Sequence, residues 1–373
     1  MSQLDVVSGD SHVREPYDIW VKSIGKKFGD RTPRIVDRYK GLKGKFFFTG
    51  GHHAKFLTTA NSMELDLKGP GAERARLVIE SGHNPDARVA FQKIANVRAE
   101  VLYPTASMAI MQCGQRDVAE AAAQVFNDWV AEYASRSPKT LLAVAEVPTY
   151  RPDWALTEMK RARRKGLRGA MINTVAPEGA PPYRTKAWDK FWAAAQDLDM
   201  PIILHIVTGR VLDPIVYALT KDEYEVAPGG VMDMWNEIQS AVANEFIFGQ
   251  ILDRFPKLKL VEAEYEVSWI PTFMFRVDQM QTSLTPLLDL PKLKMKASDY
   301  VKSRIWHGMT DDRYGVGVID EVGAGQFMWG SDFPHVRSIS YDAQKFLAKT
   351  FKPLKPADRK KVVGANAARV FDA

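Results

Sequence analysis

Six residues of the types that hold divalent cations or move protons stand where strand-like runs of this chain end. Asp10 and His12 close the first run in Asp10-Ser11-His12, and His205 closes another in Leu204-His205-Ile206. Glu264 ends Val261-Glu262-Ala263-Glu264, while Asp332 and His335 belong to Gly330-Ser331-Asp332-Phe333-Pro334-His335. Carboxylates and imidazoles are costly to bury unless paired or metal-bound, and they are common ligands of zinc and its neighbours. Asp10 and His12 are two residues apart, so on an extended strand both side chains leave by the same side. Taken alone, Asp332 reads as a turn or cap residue, and His205 as a hydrogen-bonded core histidine. Together, at the ends of separate strands, Asp10, His12, His205 and Asp332 read as one metal centre, with Glu264 and His335 beside it as acid–base groups.

Such a centre needs a frame that brings distant strand ends together. Apolar runs with strand character cover residues 6–13, 97–103, 141–147, 166–172, 201–207, 258–263, 304–309 and 326–329. Helix-period segments lie between most of them, at 118–134, 155–164, 187–198, 232–254 and 269–280, and one more follows at 358–371. This alternation predicts parallel strands with right-handed crossovers, and eight units predict a closed (β/α)₈ barrel of the TIM type. Active-site groups in that fold come from the carboxyl ends of different strands. The stretch 14–85 is too long for an ordinary strand-to-helix loop and reads as an inserted cap after the first strand, with a small hairpin at 45–48. A Pro-rich piece at 177–182 reads as a second loop over the mouth.

At 373 residues and 46% apolar, the chain predicts one elaborated domain spanning 1–373. Its single cysteine, Cys113, excludes an internal disulfide framework. The first 25 residues lack a basic-then-apolar signal, and no apolar run approaches a membrane span, so the expectation is a soluble, cytoplasmic protein. The net charge of +6 raises the question of nucleic acid. Its basic residues instead decorate amphipathic helices, as in Lys160, Arg161, Arg163, Arg164 and Lys165, and no nucleic-acid motif accompanies them. Neither nucleic acid nor a membrane is an expected partner; a mildly basic field suits a small anionic substrate.

Glu100-Val101-Leu102-Tyr103-Pro104, Phe126-Asn127-Asp128-Trp129, Gly166-Leu167-Arg168-Gly169, Phe255-Pro256-Lys257-Leu258-Lys259 and Asn366-Ala367-Ala368-Arg369 complete a set with the Asp10 and Asp332 motifs. In this order they resemble the amidohydrolase-related family that contains aminocarboxymuconate-semialdehyde decarboxylase and the resorcylate and salicylate decarboxylases. The resemblance spans nearly the whole chain except 14–85. It implies one divalent ion per chain held by Asp10, His12, His205 and Asp332, with zinc as first choice and manganese compatible with the same donor set. Two departures stand out. Asp10 occupies a place usually held by His or Glu, and Glu264 occupies one where the decarboxylases usually carry a His.

The resemblance implies a non-oxidative decarboxylase of an aromatic or conjugated small carboxylic acid, with Asp332 or Glu264 delivering a proton. The same ligands would serve a hydrolase of a C–N, C–O or activated C–C bond, with Asp332 as base and His335 steadying the developing oxyanion. A non-catalytic member that only binds a small ligand is the third reading. Arg276 reads by itself as an outer helix-face salt-bridge residue, but it follows Trp269-Ile270-Pro271 at a spacing that, in the semialdehyde decarboxylase, carries an Arg into the neighbouring subunit's site, and that resemblance implies a homodimer or higher homo-oligomer. Trp306 and His307, at the end of the seventh run, are expected to line the pocket and stack on a ring, with Tyr103, Tyr265 and Phe333 nearby. His52 and His53, in a Gly-rich part of the expected cap, read either as simply exposed residues or as groups that close over substrate.

Overall fold

The structure is a computed structural model that describes residues 4–39, 41–51, 54–56, 71–209, 228–335 and 343–373. His52 and His53, and most of the polar stretch of the expected cap, lie outside the described residues.

All eight expected runs form strands. They are β1 (Val7–His12), β5 (Ala99–Tyr103), β6 (Leu141–Ala143) with β7 (Ala145–Val147), β8 (Ala170–Ile172), β9 (Ile202–His205), β10 (Leu260–Ala263), β11 (Ile305–Met309) and β12 (Phe327–Trp329). One parallel sheet has the order β1-β5-β6 and a second the order β12-β11-β10-β9-β8-β7. Only Val144 separates β6 from β7, and a parallel bridge from Ser11 to Phe333 joins β1 to the chain leaving β12. The two sheets therefore meet at both ends, an arrangement compatible with a closed (β/α)₈ barrel.

Side-chain parity supports this arrangement. Val7, Ala99, Val101, Leu142, Val144, Met171, Ile203, Val261, Trp306 and Met328 form one buried cluster drawn from every run. Their neighbours Leu102, Ala143, Ala145, Ile172, Leu204, Leu260, Ile305 and Phe327 belong to a second cluster shared with the helices. Successive residues of a strand face opposite sides, so the two clusters are the two faces of the same strands. Ala367, Val370 and Phe371 of the last helix, Asn366–Phe371, belong to the first cluster, and Gly364 approaches Asp5 O and Val7 N at the start of β1. That helix covers the amino ends of the strands and leaves their carboxyl ends for the site.

The 14–85 stretch contains more regular structure than its composition suggests. Helix Ile19–Phe28 buries Trp20 and Phe28, and β2 (Arg34–Tyr39), β3 (Leu42–Phe48) and β4 (Ala54–Phe56) pair antiparallel in the order β2-β3-β4. The expected hairpin at 45–48 is one part of that sheet. Helices Ala72–Ser81 and Pro85–Ala95 follow, the second opened by Asn84, whose side chain accepts from Asp86 N and Ala87 N. The helix expected at 232–254 is not continuous. A helix at Pro228–Ala241 passes into a π turn at Val242–Ile247, and Gln250 at φ 59 restarts the chain as Ile251–Arg254. Among the described residues, no helix is long and apolar enough to cross a membrane.

The junction of β1 with β12 is built for close approach. Ser8 Oγ lies 3.0 Å from Ser11 Oγ and accepts from Ser331 N at 2.9 Å, and Asp332 N donates to Asp10 O at 3.0 Å. A Cβ on Gly330 would lie 2.3 Å from Asp10 Cβ, so only glycine fits beside that carboxylate.

A buried ion pair holds the same junction from outside. Arg88 donates from Nε and Nη2 to the two Glu100 carboxylate oxygens at 2.7 and 2.9 Å, and from Nη1 to His12 O at 2.8 Å. Its guanidinium lies 4.5 Å from the centre of the Phe333 ring, which stacks on Phe91 at 4.4 Å. Glu100 and Phe333, both from the motifs noted above, are thus parts of one brace behind His12. Arg88→Met leaves Glu100 buried and without its bidentate partner, a change that costs about 3–5 kcal/mol. Denaturant unfolding is expected to show that loss together with weakened metal retention, and a loss below about 1 kcal/mol would show that the pair is not what holds the junction.

Candidate metal centre

The site forms where β1, β9 and β10 end. Register between β1 and β5 slips by one residue between Ser8 and Ser11, a bulge that re-aims Asp10. Asp10, His12, His205 and Glu264 each offer one ligand atom, all within 4.8 Å of one another. Asp10 Oδ1 is 3.4 Å from His12 Nε2, Asp10 Oδ2 is 3.6 Å from His205 Nε2, and Glu264 Oε2 is 3.8 Å from His205 Nε2. Asp332 joins through His12, with Oδ1 3.3 Å from Nε2, in a second group completed by His335. Of the four expected ligands, three fall in one tight group whose fourth member is Glu264, and Asp332 adjoins it.

The histidines are oriented from behind. His12 Nδ1 donates to Pro104 O at 2.6 Å and His205 Nδ1 to Ile206 O at 2.8 Å, which leaves each Nε2 as the acceptor facing inward. Both Asp10 oxygens and both Nε2 atoms are buried without a hydrogen-bond partner among the described residues. Buried polar atoms are normally satisfied, and four acceptors converging unsatisfied is the arrangement a cation requires. The residues present therefore fit a divalent ion.

The electrostatics agree. Burial pushes Asp10 up, but His205 and His12 beside it more than offset this and hold its carboxyl well below the usual range. Burial pushes His205 down, yet the Asp10 and Glu264 carboxylates outweigh it and bring the imidazole to about 9. His12 is pushed down by burial and further by His335. A dense negative set around two imidazoles attracts positive charge, whether as protons or as a metal ion.

Asp332 and His335 form a chain with Thr105. Thr105 Oγ1 donates to Val13 O at 2.7 Å and so meets His335 Nε2, 3.1 Å away, as acceptor. His335 Nδ1 in turn lies 2.7 Å from Asp332 Oδ1. The backbone is strained where these groups emerge: Val207, Glu264 and Asp332, just beyond β9, β10 and β12, have φ of 76, 62 and 53°.

Three expected pocket residues lie elsewhere. Trp306 is the second residue of β11 and points into the enclosed cluster near the last helix, where Arg369 stacks 4.5 Å from its ring centre. His307 points the opposite way, its Nδ1 2.7 Å from Glu262 Oε2 and its Nε2 3.0 Å from Val301 O. Both precede the strand's end at Met309, so neither reaches the carboxyl ends. Arg276 is exposed on helix Ile270–Gln279, beside Phe275, and is not brought to the site of its own chain.

Two groups were not assigned a role from the sequence. Glu15 accepts from the backbone N–H groups of Thr105, Ala106 and Ser107 and so fixes the turn after β5. Glu146 of β7 is buried, and burial pushes its carboxyl up to about 8. Each is an acidic residue in an apolar or turn segment, which is the signal by which it is recognisable.

A set of parallel strands whose ends converge on buried carboxylates and imidazoles defines a metal-site protein of the amidohydrolase type. The chain belongs to the amidohydrolase family, whose sequence profile matches residues 71–373. It is related to aromatic acid decarboxylases: the γ-resorcylate decarboxylase of Rhodococcus jostii (strain RHA1) is 24% identical over 302 residues, covering 77% of this chain and 87% of that protein. Among solved structures, an amidohydrolase of Mycobacterium avium subsp. paratuberculosis K-10 superposes with a TM-score of 0.77 at 18% identity, covering 100% of each chain. The dihydroxybenzoic acid decarboxylase of Polaromonas sp. JS666, solved with manganese and the inhibitor 2-nitroresorcinol, superposes with a TM-score of 0.67 at 18% identity over 100% of this chain and 97% of that one.

Proposed function

We propose that this chain is a metal-dependent, non-oxidative decarboxylase of a small aromatic carboxylic acid, working in a closed (β/α)₈ barrel whose mouth the 14–85 segment overlies. The observation that carries the reading is the convergence of Asp10, His12 and His205 acceptors, buried and unsatisfied, beside Glu264 and Asp332. Asp10, His12 and His205 would hold the ion together with Asp332, and Glu264 faces it. When bound, the ion supplies a Lewis acid that fixes the substrate carboxylate and an adjacent oxygen. Two imidazoles and two carboxylates suit zinc and manganese alike, and the manganese in the Polaromonas relative makes that ion the first to test.

The residues of this chain then handle the proton. Glu264 or Asp332, protonated, gives it to the ring carbon that bears the carboxylate. The C–C bond electrons return to the ring as carbon dioxide leaves, and the carboxylate is reprotonated from solvent. His335, hydrogen-bonded to Asp332 Oδ1, holds that carboxylate in place. In this reading the protein is a homodimer in which the exposed Arg276 meets the substrate of the second copy.

The Glu264 substitution favours a second reading, a hydrolase in which carboxylates rather than a histidine move the proton. The test loads the purified protein with manganese and assays γ-resorcylate, salicylate and their methoxy analogues for carbon dioxide, and aromatic amides, esters and lactones for hydrolysis. Decarboxylation that a chelator abolishes and manganese restores is the expected result. Hydrolysis without carbon dioxide release would replace the proposal with the second reading, and binding without either reaction would make the chain a ligand-binding member of its family.

A further inference from the structure

Tyr103 is the last residue of β5 and continues the inward-facing parity of Ala99 and Val101. Its ring centre lies 5.0 Å from that of His205 and 5.9 Å from that of His12, so it stands against both imidazoles of the site. The residue is 0% exposed, and its Oη is buried with no hydrogen-bond partner among the described residues. A buried hydroxyl left unsatisfied is destabilising unless a ligand completes it. The backbone holds the ring there: Val13 N donates to Tyr103 O at 2.9 Å, and the next carbonyl, Pro104 O, is the one that orients His12. A phenol carries its proton at neutral pH, so Oη offers an O–H as donor.

We propose that Tyr103 Oη is a substrate-positioning donor of this centre, hydrogen-bonding an acceptor oxygen of the acid that binds on the metal. The inference rests on the metal site of the proposed function but not on its reaction, because a hydrolase substrate would present a comparable oxygen. It assigns the chain a preference for ligands with an oxygen in reach of both the ion and the phenol, and aromatic acids with an ortho hydroxyl meet that requirement.

Tyr103→Phe removes only the hydroxyl. With no partner for Oη among the described residues, the metal-free variant should melt at the wild-type temperature or above it, and manganese content should be unchanged. Two probes are titrated into manganese-loaded protein by calorimetry: 2-nitroresorcinol, which resembles an ortho-hydroxy aromatic acid, and acetohydroxamate, a small oxygen chelator that has no ring but still offers the phenol an acceptor oxygen. The expected result is binding weakened about 10- to 100-fold for at least one probe, the range for a hydrogen bond with a charged partner. Weakened acetohydroxamate binding in a protein that does not take 2-nitroresorcinol would keep Tyr103 in its role while removing the aromatic-acid reading. Affinities within twofold of wild type for both probes, a wild-type protein that binds neither, a lowered melting temperature or loss of manganese would each overturn the proposal.

Discussion

Replacing His205 with alanine is expected to leave a folded chain that has lost its ion, with manganese content below about a tenth of wild type after dialysis, since even residues that only orient a ligand are worth 10–100-fold in affinity. His205 Nε2 is one of four buried acceptors that nothing in the described fold satisfies, and it faces Asp10 at 3.6 Å and Glu264 at 3.8 Å. Removing it takes away the ligand atom that lies between those two carboxylates. His307→Ala is the matched contrast, because that imidazole is just as buried but has both nitrogens engaged, to Glu262 and to Val301 O. Its loss should leave Glu262 buried and partnerless, lowering stability by about 1–3 kcal/mol while the metal stays. Elemental analysis and thermal unfolding on both variants check this. Manganese retained in His205→Ala and lost in His307→Ala would invert the assignment of the two histidines.

The contrast also shows how far the sequence could be read. The strands were legible because their apolar runs are buried on both faces, and the ends carrying Asp10, His12, His205 and Asp332 followed from the run boundaries. What distinguishes His205 from His307 is parity and distance to the strand end. His205 shares the inward face of Ile203 and closes β9, whereas His307 lies one residue past inward Trp306 and two short of Met309. The expected run 304–309 ends where β11 ends, and it was taking its third and fourth residues for its end that set Trp306 and His307 at the mouth. Counting from Val261 and Met328 on the neighbouring strands would have fixed the face.

Other features were hidden for different reasons. The helix at Pro85–Ala95 carries a readable start in Asn84-Pro85-Asp86, but its mixed composition merged with the stretch before it. The break after Ile247 is a π turn and a left-handed Gln250, neither of which disturbs helical periodicity enough to be seen in sequence. Glu100 and Phe333 were recognised only as motif residues. Their physical role, a brace to His12 O, depends on Arg88, which lies 12 positions from Glu100 and 76 from His12 and which no local pattern connects to either. Side chains that meet across the fold are readable only once the strands are in register.

Glu264→Gln is expected to keep the fold and about one manganese per chain while turnover falls about 10²- to 10⁴-fold, the usual contribution of a positioned acid–base group. Glu264 differs from Asp10 in a way that decides their roles. The Asp10 side chain is 4% exposed, whereas that of Glu264 is 18% exposed, so of the two Glu264 is the one open to proton exchange with solvent. It is also held at φ 62, a conformation costly for glutamate and retained where the surrounding structure imposes it. Asp332→Asn is the companion variant. Asparagine can still offer a carbonyl oxygen toward the ion and its neighbour His335, but it cannot carry the proton. If Glu264 is the donor, Glu264→Gln should lose turnover at full metal loading, and Asp332→Asn should lose turnover in proportion to the metal it fails to hold. A fully loaded but inactive Asp332→Asn beside a near-normal Glu264→Gln would instead place the proton on Asp332, with His335, 2.7 Å from its Oδ1, as the group that replenishes it.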